Sequence, residues 1–245
     1  MGETQLVVPC FNEASRLPGD AFRAFCARTP SVDFLFVNDG STDATLERLR
    51  ELERELPGRV GVLDLERNGG KAEAVRRGMC TAFKSSAEHV GYWDADLATP
   101  LDEIPRFTSL LAARPHVELV MGARVQLLGR RVRRSPVRHY LGRVFATAVS
   151  QVLHLPVYDT QCGAKLLRNR PELAVLFEAP FCVNWTFDVE LLARFLAAGR
   201  GAGALYELPL ECWEDVAGSR VRATDFFVAF VEVARIWSRY GGALS

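Results

Sequence analysis

A chain of 245 residues with 30 Lys+Arg against 30 Asp+Glu carries no net charge, and 49% of its residues are apolar. That is an ordinary globular composition with room for a sizeable core. The balance of charge argues against a general nucleic-acid binder and confines any anion site to a local basic cluster. The 6 cysteines, at 10, 26, 80, 162, 182 and 212, show no CxxC or metal-finger spacing, which reads as reduced thiols in a cytoplasmic protein.

No targeting segment is expected, because Val7–Val8 is followed at once by Pro9, Asn12 and Glu13. The longest apolar stretch, FFVAFVEVARIW at 226–237, contains Glu232 and Arg235. It falls short of the ~20 apolar residues that a bilayer span takes. The expectation is a soluble protein without a transmembrane segment, or one held peripherally at a membrane face.

In chain order, short apolar runs with β-branched or aromatic residues read as strands: QLVVPC (5–10), FLFV (34–37), VGVLDL (60–65), HVGYW (89–93) and VELVMG (117–122). Between them, ATLERLRELEREL (44–56) spaces its leucines near helical intervals, and Ala72, Val75, Met79, Ala82 and Phe83 mark a helix starting near Lys71. Strands alternating with helices imply a mostly parallel central sheet covered on both faces. Beyond Arg124, RRVRRSPVR (130–138) reads as a basic loop. Leu141, Val144, Phe145, Ala148, Val149, Val152 and Leu153 then form an amphipathic stripe that reads as a core-packing helix. ALYELPLECW (204–213) reads as one strand and 224–240 as a final helix, with no Pro/Gly linker between domains.

Ligands of such sheets bind at the carboxyl ends of the strands. The polar turns collect there: CFNE after the first strand, NDGSTD after the second, ERNGGK after the third and DADLATP after the fourth. No GxGxxG, P-loop, GxSxG or HExxH stands in the sequence. A haloacid-dehalogenase DxDx[TV] motif would need Thr or Val where Ala98 stands, and would follow an early strand. Carboxylates at i and i+2 of an extended segment point to the same side. Asp94 and Asp96 can therefore share a Mg²⁺ or Mn²⁺ whose other ligands come from substrate phosphates, an arrangement suited to a diphosphate leaving group.

LVVPCFNE, FLFVNDGSTD, RNGGKAEAVRRGM and YWDADLATP, in that order, resemble the family 2 inverting glycosyltransferases of GT-A fold. RSPVRHYL (134–141), YDTQCGAKLL (158–167), WTFDVELL (185–192) and CWEDVAGSRV (212–221) resemble the dolichyl- or polyprenyl-phosphate β-glucosyltransferase branch. The resemblance implies a single α/β domain with a Rossmann-like sheet flanked by helices. Residues 1–123 would bind a nucleotide-sugar, UDP-glucose being the favoured donor, and 124–245 the acceptor. It implies that Pro9, Asn12 and Glu13 line the nucleoside pocket, that Asp39 bonds to the base, and that Arg67 and Lys71 lie near the nucleotide. Asp94 and Asp96 would be the DxD pair, contacting ribose and metal-bound diphosphate. Arg124, Arg134, Arg138 and Lys165 are candidates for the phosphate of a polyprenyl acceptor, and Gln161 for a metal or sugar contact. Asp188 would be the general base toward a hydroxyl acceptor, whereas an anionic phosphate monoester needs little help from a base. Two alternatives stand beside this reading: a soluble transferase acting on a hydroxyl or small phosphorylated acceptor, and a nucleotide-sugar-binding protein without turnover.

Overall fold

A computed structural model describes residues 2–133, 136–214 and 223–244. The first half alternates as expected: β1 (Thr4–Cys10), α1 (Gly19–Arg28), β2 (Val32–Asp39), α2 (Thr45–Glu55), β3 (Val60–Leu65), α3 (Lys71–Ala82), β4 (His89–Trp93), α4 (Ile104–Ala113) and β5 (Leu119–Ala123). The second half adds β6 (Arg131–Arg133), α5 (Pro136–Leu153), β7 (Ala164–Arg168), the single turn α6 (Pro171–Ala174), α7 (Phe187–Ala197), β8 (Leu205–Pro209), β9 (Cys212–Glu214) and α8 (Ala223–Leu244).

The main sheet runs β3-β2-β1-β4-β7-β5-β8. Every strand in it is parallel except β7, which lies antiparallel between β4 and β5. Alternation along the strands feeds two cores. Leu6, Val8, Phe34 and Phe36 face α1, α2 and α4 through Phe22, Leu52 and Phe107. Val7, Leu35 and Val37 face the opposite layer, where α3, α5, α7 and α8 contribute Met79, Phe145, Phe195 and Ile236. On the first face Phe22 meets Phe34 and Phe36 edge-on, with centroids 5.1 and 4.9 Å apart. This is one domain with helices on both faces of a mostly parallel sheet.

Several local expectations are corrected. The basic segment 130–138 is not all loop: Arg131–Arg133 pairs with Cys212–Glu214 as a small parallel ribbon, and Pro136 opens α5. Proline suits the first position of a helix, where its missing N–H costs nothing. The segment 204–213 is two strands in two sheets. The chain breaks between them because Leu210 N–H donates to Ala123 O, while the N–H groups of Glu211 and Cys212 donate to Glu103 Oε1 at 2.7 and 2.9 Å. β7 was not expected at all. Helix α5 is only half a core helix: Phe145, Ala146, Val149 and Leu153 are buried, but Tyr140, Leu141 and Val144 are exposed. All 6 cysteines are free, as their spacing implied. Among the described residues no helix is long and apolar enough to cross a membrane.

Candidate active site

The carboxyl ends of β1 to β4 meet at one edge, and their turns are laced together. Asn12, in the left-handed region at φ 53°, donates its N–H to Ser41 Oγ and accepts from Thr42 N–H at 2.9 Å. Glu13 N–H donates to Thr45 Oγ1, and Asp43 accepts from Ala14 and Thr45. Asp39 takes the N–H groups of Gly69 and Gly70 at 2.8 and 2.9 Å, which fastens the glycine turn before α3 to the end of β2. Burial, helped by the charge of Glu73, outweighs those two bonds and holds the Asp39 carboxyl above its ordinary range.

Lys71, the first residue of α3, reaches the end of β4, where its Nζ lies 2.5 Å from Asp94 Oδ1. Its partial desolvation opposes the charge, but Asp94, Asp188 and Asp96 together outweigh that and raise its pKa. Asp96 is pushed up by burial and by the neighbouring charge of Asp94; Ala98 N–H, Lys71 and Arg16 pull the other way. Because β7 is antiparallel, its amino end comes to this same edge. Asp94 N–H donates to Gly163 O at 3.0 Å, and a Cβ on Gly163 would stand 1.9 Å from Asp94 Oδ2. Only glycine lets that carboxylate lie where it does.

Beneath this mouth is a buried polar knot. Asp188 Oδ1 accepts from Tyr92 OH and from Lys165 Nζ, each at 2.5 Å. Lys165 spends its remaining donors on Thr160 O and Cys162 O at 3.0 and 2.8 Å, and its side chain has 0% exposure. Burial first, then the charge of Asp188, drives the Tyr92 phenol well above its usual range, so it stays a donor. Beside the knot, Arg124 binds Asp159 through Nε and Nη2 at 2.6 and 2.7 Å and lies over Trp213 at 5.3 Å. Glu207 accepts the N–H groups of Tyr158 and Asp159 and so holds that loop in place.

The expected residues are therefore not all of one kind. Pro9, Asn12, Glu13, Asp39, Lys71, Asp94, Asp96 and Asp188 belong to the edge or the knot directly under it. Gln161, on the loop before β7, donates its N–H to Asp159, and among the described residues its buried Nε2 has no partner; nor has Glu13 Oε2. Arg67 is exposed and lines a cleft that includes none of the acidic trio Asp94, Asp96 and Asp188. Lys165 is corrected outright: fully buried, with its donors spent inside the protein, it has none for an acceptor phosphate. Arg138 lies in the first turn of α5, and Arg134 lies outside the described residues. Sequence reasoning missed Tyr92, Asp159, Gly163 and Glu207. A tyrosine inside an apolar strand was the one readable signal, since a buried phenol normally finds a polar partner.

Among the described residues no group of three or more His, Cys, Asp and Glu side chains could hold a metal ion. Two carboxylates suit a hard divalent cation that keeps waters and takes further oxygens from phosphates. Burial and the charge of Asp94 push the Asp96 carboxyl up, and the two carboxylates fit such an ion.

Residues 5–172 match the family described as Glycosyl transferase family 2. The chain belongs to that family. The glycosyltransferase is 29% identical over 245 residues to the dolichyl-phosphate beta-glucosyltransferase ALG5C of Trichomonas vaginalis, covering 95% of this chain and 70% of the relative. It is 31% identical over 260 residues to the dolichyl-phosphate beta-glucosyltransferase of Drosophila melanogaster, covering 97% and 75%. Its fold is GT-A. The glucosyl-3-phosphoglycerate synthase of Mycobacterium tuberculosis, solved with Mn²⁺, UDP and glucosyl-3-phosphoglycerate, superposes with a TM-score of 0.70 at 20% identity, covering 97% of this chain and 80% of that one.

Two substitutions test the geometry of the glycosyltransferase. Lys165→Met leaves Asp188 buried without its counter-charge and is expected to cost about 3–5 kcal/mol in urea unfolding. A loss within error of zero would show that the pair is not buried as described. Gly163→Ala displaces Asp94 and is expected to lower transferase activity by about 100-fold with the far-UV spectrum retained. Near-wild-type turnover would show that Asp94 does not need this position.

Proposed function

We propose that the glycosyltransferase moves glucose from UDP-glucose to the phosphate of a polyprenyl or dolichyl lipid, with inversion at the anomeric carbon. The observation that carries this reading is the convergence of Lys71, Asp94, Asp96 and Asp188 at the carboxyl edge of the sheet. Asp94 and Asp96 would hold a Mg²⁺ or Mn²⁺, which would supply positive charge against the departing diphosphate. Lys71, its side chain 45% exposed, turns from Asp94 to the phosphates as a compact cation. The unpartnered Glu13 Oε2 accepts from the nucleoside, and the unpartnered Gln161 Nε2 donates to the sugar or a phosphate. Asp39 keeps the glycine turn in place against the base.

On the acceptor side, Arg124 has committed Nε and Nη2 to Asp159 and offers Nη1 to the acceptor phosphate. Arg134 and Arg138 are the further candidates for that phosphate. The acceptor oxygen is already anionic near neutral pH and attacks from the face opposite UDP. A hydroxyl acceptor with Asp188 as base is disfavoured by geometry: the Asp188 side chain is buried, and its Oδ1 is already taken by Tyr92 OH and Lys165 Nζ. Asp188 instead fixes the floor of the site.

A lipid acceptor is supported by the named relatives and by the outer faces of α5 and α8. Tyr140, Val144 and Phe227 are exposed by 71%, 60% and 75%, and Phe145 meets Phe230 with centroids 6.0 Å apart where the two helices pack. Arg143 of α5 stacks on Tyr158, one residue before the partner of Arg124, so this apolar surface adjoins the acceptor side. Such a surface allows peripheral contact with a membrane.

The test is a matrix of donors (UDP-glucose, UDP-galactose, GDP-mannose) against acceptors (polyprenyl phosphate, a short phosphate monoester, a simple alcohol), with and without EDTA. The expected result is transfer from UDP-glucose to polyprenyl phosphate that EDTA abolishes. Transfer only to the alcohol, or no metal-dependent transfer in any combination, would overturn the proposal.

A further inference from the structure

Away from the carboxylate pair lies a second cleft of about 880 Å³. That volume falls within the range of small-molecule sites. Its walls are the end of β3 with the turn after it, the start of α3, the segment leading into α7, and α8; neither Lys71 nor Asp188 lines it.

Among the described residues the acids in these walls are occupied, with one exception. Glu73 holds Arg76 through two bonds of 2.6 Å. Glu232 accepts the N–H groups of Asn184, Trp185 and Thr186 at 3.1, 3.2 and 2.7 Å. Asp64 accepts from the Asn38 amide at 2.7 Å. Glu66 is the acid left over. Against it stand Arg67, Arg77 and Arg235, all exposed and none with an ion-pair partner among the described residues. Between the charges the walls are apolar, with Leu65, Phe181 and Val183.

Unspent guanidinium groups around a concave, partly apolar space match the paired oxygens of a phosphate carried on a larger body. We propose that this cleft binds a phosphate-bearing ligand other than the sugar donor, gripped by Arg77 and Arg235 with Arg67 at the donor side. The cleft also touches the machinery of the edge. Gly69, in its wall, gives its N–H to Asp39, and Asn184 packs so closely on Gly70 that a Cβ there would lie 2.8 Å from its amide. A ligand in the cleft therefore contacts both the turn that precedes Lys71 and the segment that precedes Asp188.

The phosphate can come from a soluble metabolite or from the headgroup of an anionic phospholipid. Val228 and Val231, exposed on α8, lie seven and four residues before Arg235 and so share its helical face. That placement makes a headgroup as reasonable a source as a metabolite.

The experiment measures binding in EDTA, so that no metal-bridged diphosphate forms at Asp94 and Asp96. The probes are inorganic pyrophosphate, followed by calorimetry, and phosphatidylcholine vesicles with or without phosphatidylglycerol, followed by co-sedimentation. Arg77→Gln/Arg235→Gln is expected to bind the effective probe at least about tenfold more weakly, with each single variant losing less and Tm unchanged. Lys71→Gln is expected to bind it as the wild type does. Pyrophosphate binding that the double variant loses identifies a soluble phosphorylated ligand, and phosphatidylglycerol-dependent sedimentation that it loses identifies a headgroup. Failure of the wild type to bind either probe, binding that survives in the double variant, or equal loss in Lys71→Gln would overturn the proposal.

Discussion

The backbone bond from Asp94 N–H to Gly163 O joins the two halves of this molecule at the place where chemistry is expected. It exists because β7 enters the sheet against the direction of its neighbours, between β4 and β5. A parallel strand there would present its carboxyl end to this edge and send the Thr160–Gly163 loop to the far side. Run antiparallel, β7 brings that loop against Asp94 and puts Lys165 under Tyr92, its partner in the register. Arg124 reaches the same neighbourhood from the end of β5 through Asp159. One reversed strand thus places residues from both halves of the chain around a single mouth.

Charge is arranged in two layers at that mouth. The lower layer is closed: Lys165 neutralises Asp188, and Tyr92 completes the knot with a phenol held in its donor form. Removing either charge strands the other in a medium that solvates it poorly, so the knot serves as a rigid floor. The upper layer is open. Asp94 holds the ammonium of Lys71, while Asp96, despite Lys71 and Arg16, is pushed upward by burial and by its neighbour's charge. On the proposed reading, Asp94 and Asp96 would hold a divalent cation there, and Lys71 would be free to meet the phosphates. The division explains why carboxylates so close together serve unlike purposes, one in the floor and two in the mouth.

Much of this was legible in the sequence because it is local. Apolar runs alternating with helical spacing gave β1 to β5 and α2 and α3, and the polar turns after β1 to β4 identified the edge. The rest depends on pairings between distant residues. AKLLR carries no alternation that separates a central antiparallel strand from a loop, and its lysine reads as a surface cation. Only the partner strand β4, with Tyr92 opposite Lys165 in register, shows that the ammonium is buried. The stripe on α5 was visible, but not that Leu141 and Val144 would stay uncovered. Arg124 was legible as a cation directly after the fifth strand, while its clamp by Asp159, itself held by Glu207 from β8, has no local signature.

The most direct measurement is anomalous diffraction at the manganese edge from crystals grown with UDP and Mn²⁺. A single strong manganese peak between the carboxylates of Asp94 and Asp96 is expected, with Lys71 Nζ moved from Asp94 onto a phosphate oxygen. UDP bound with manganese elsewhere, or with the Lys71–Asp94 pair intact and no metal beside it, would contradict the assignment of this edge as the donor site.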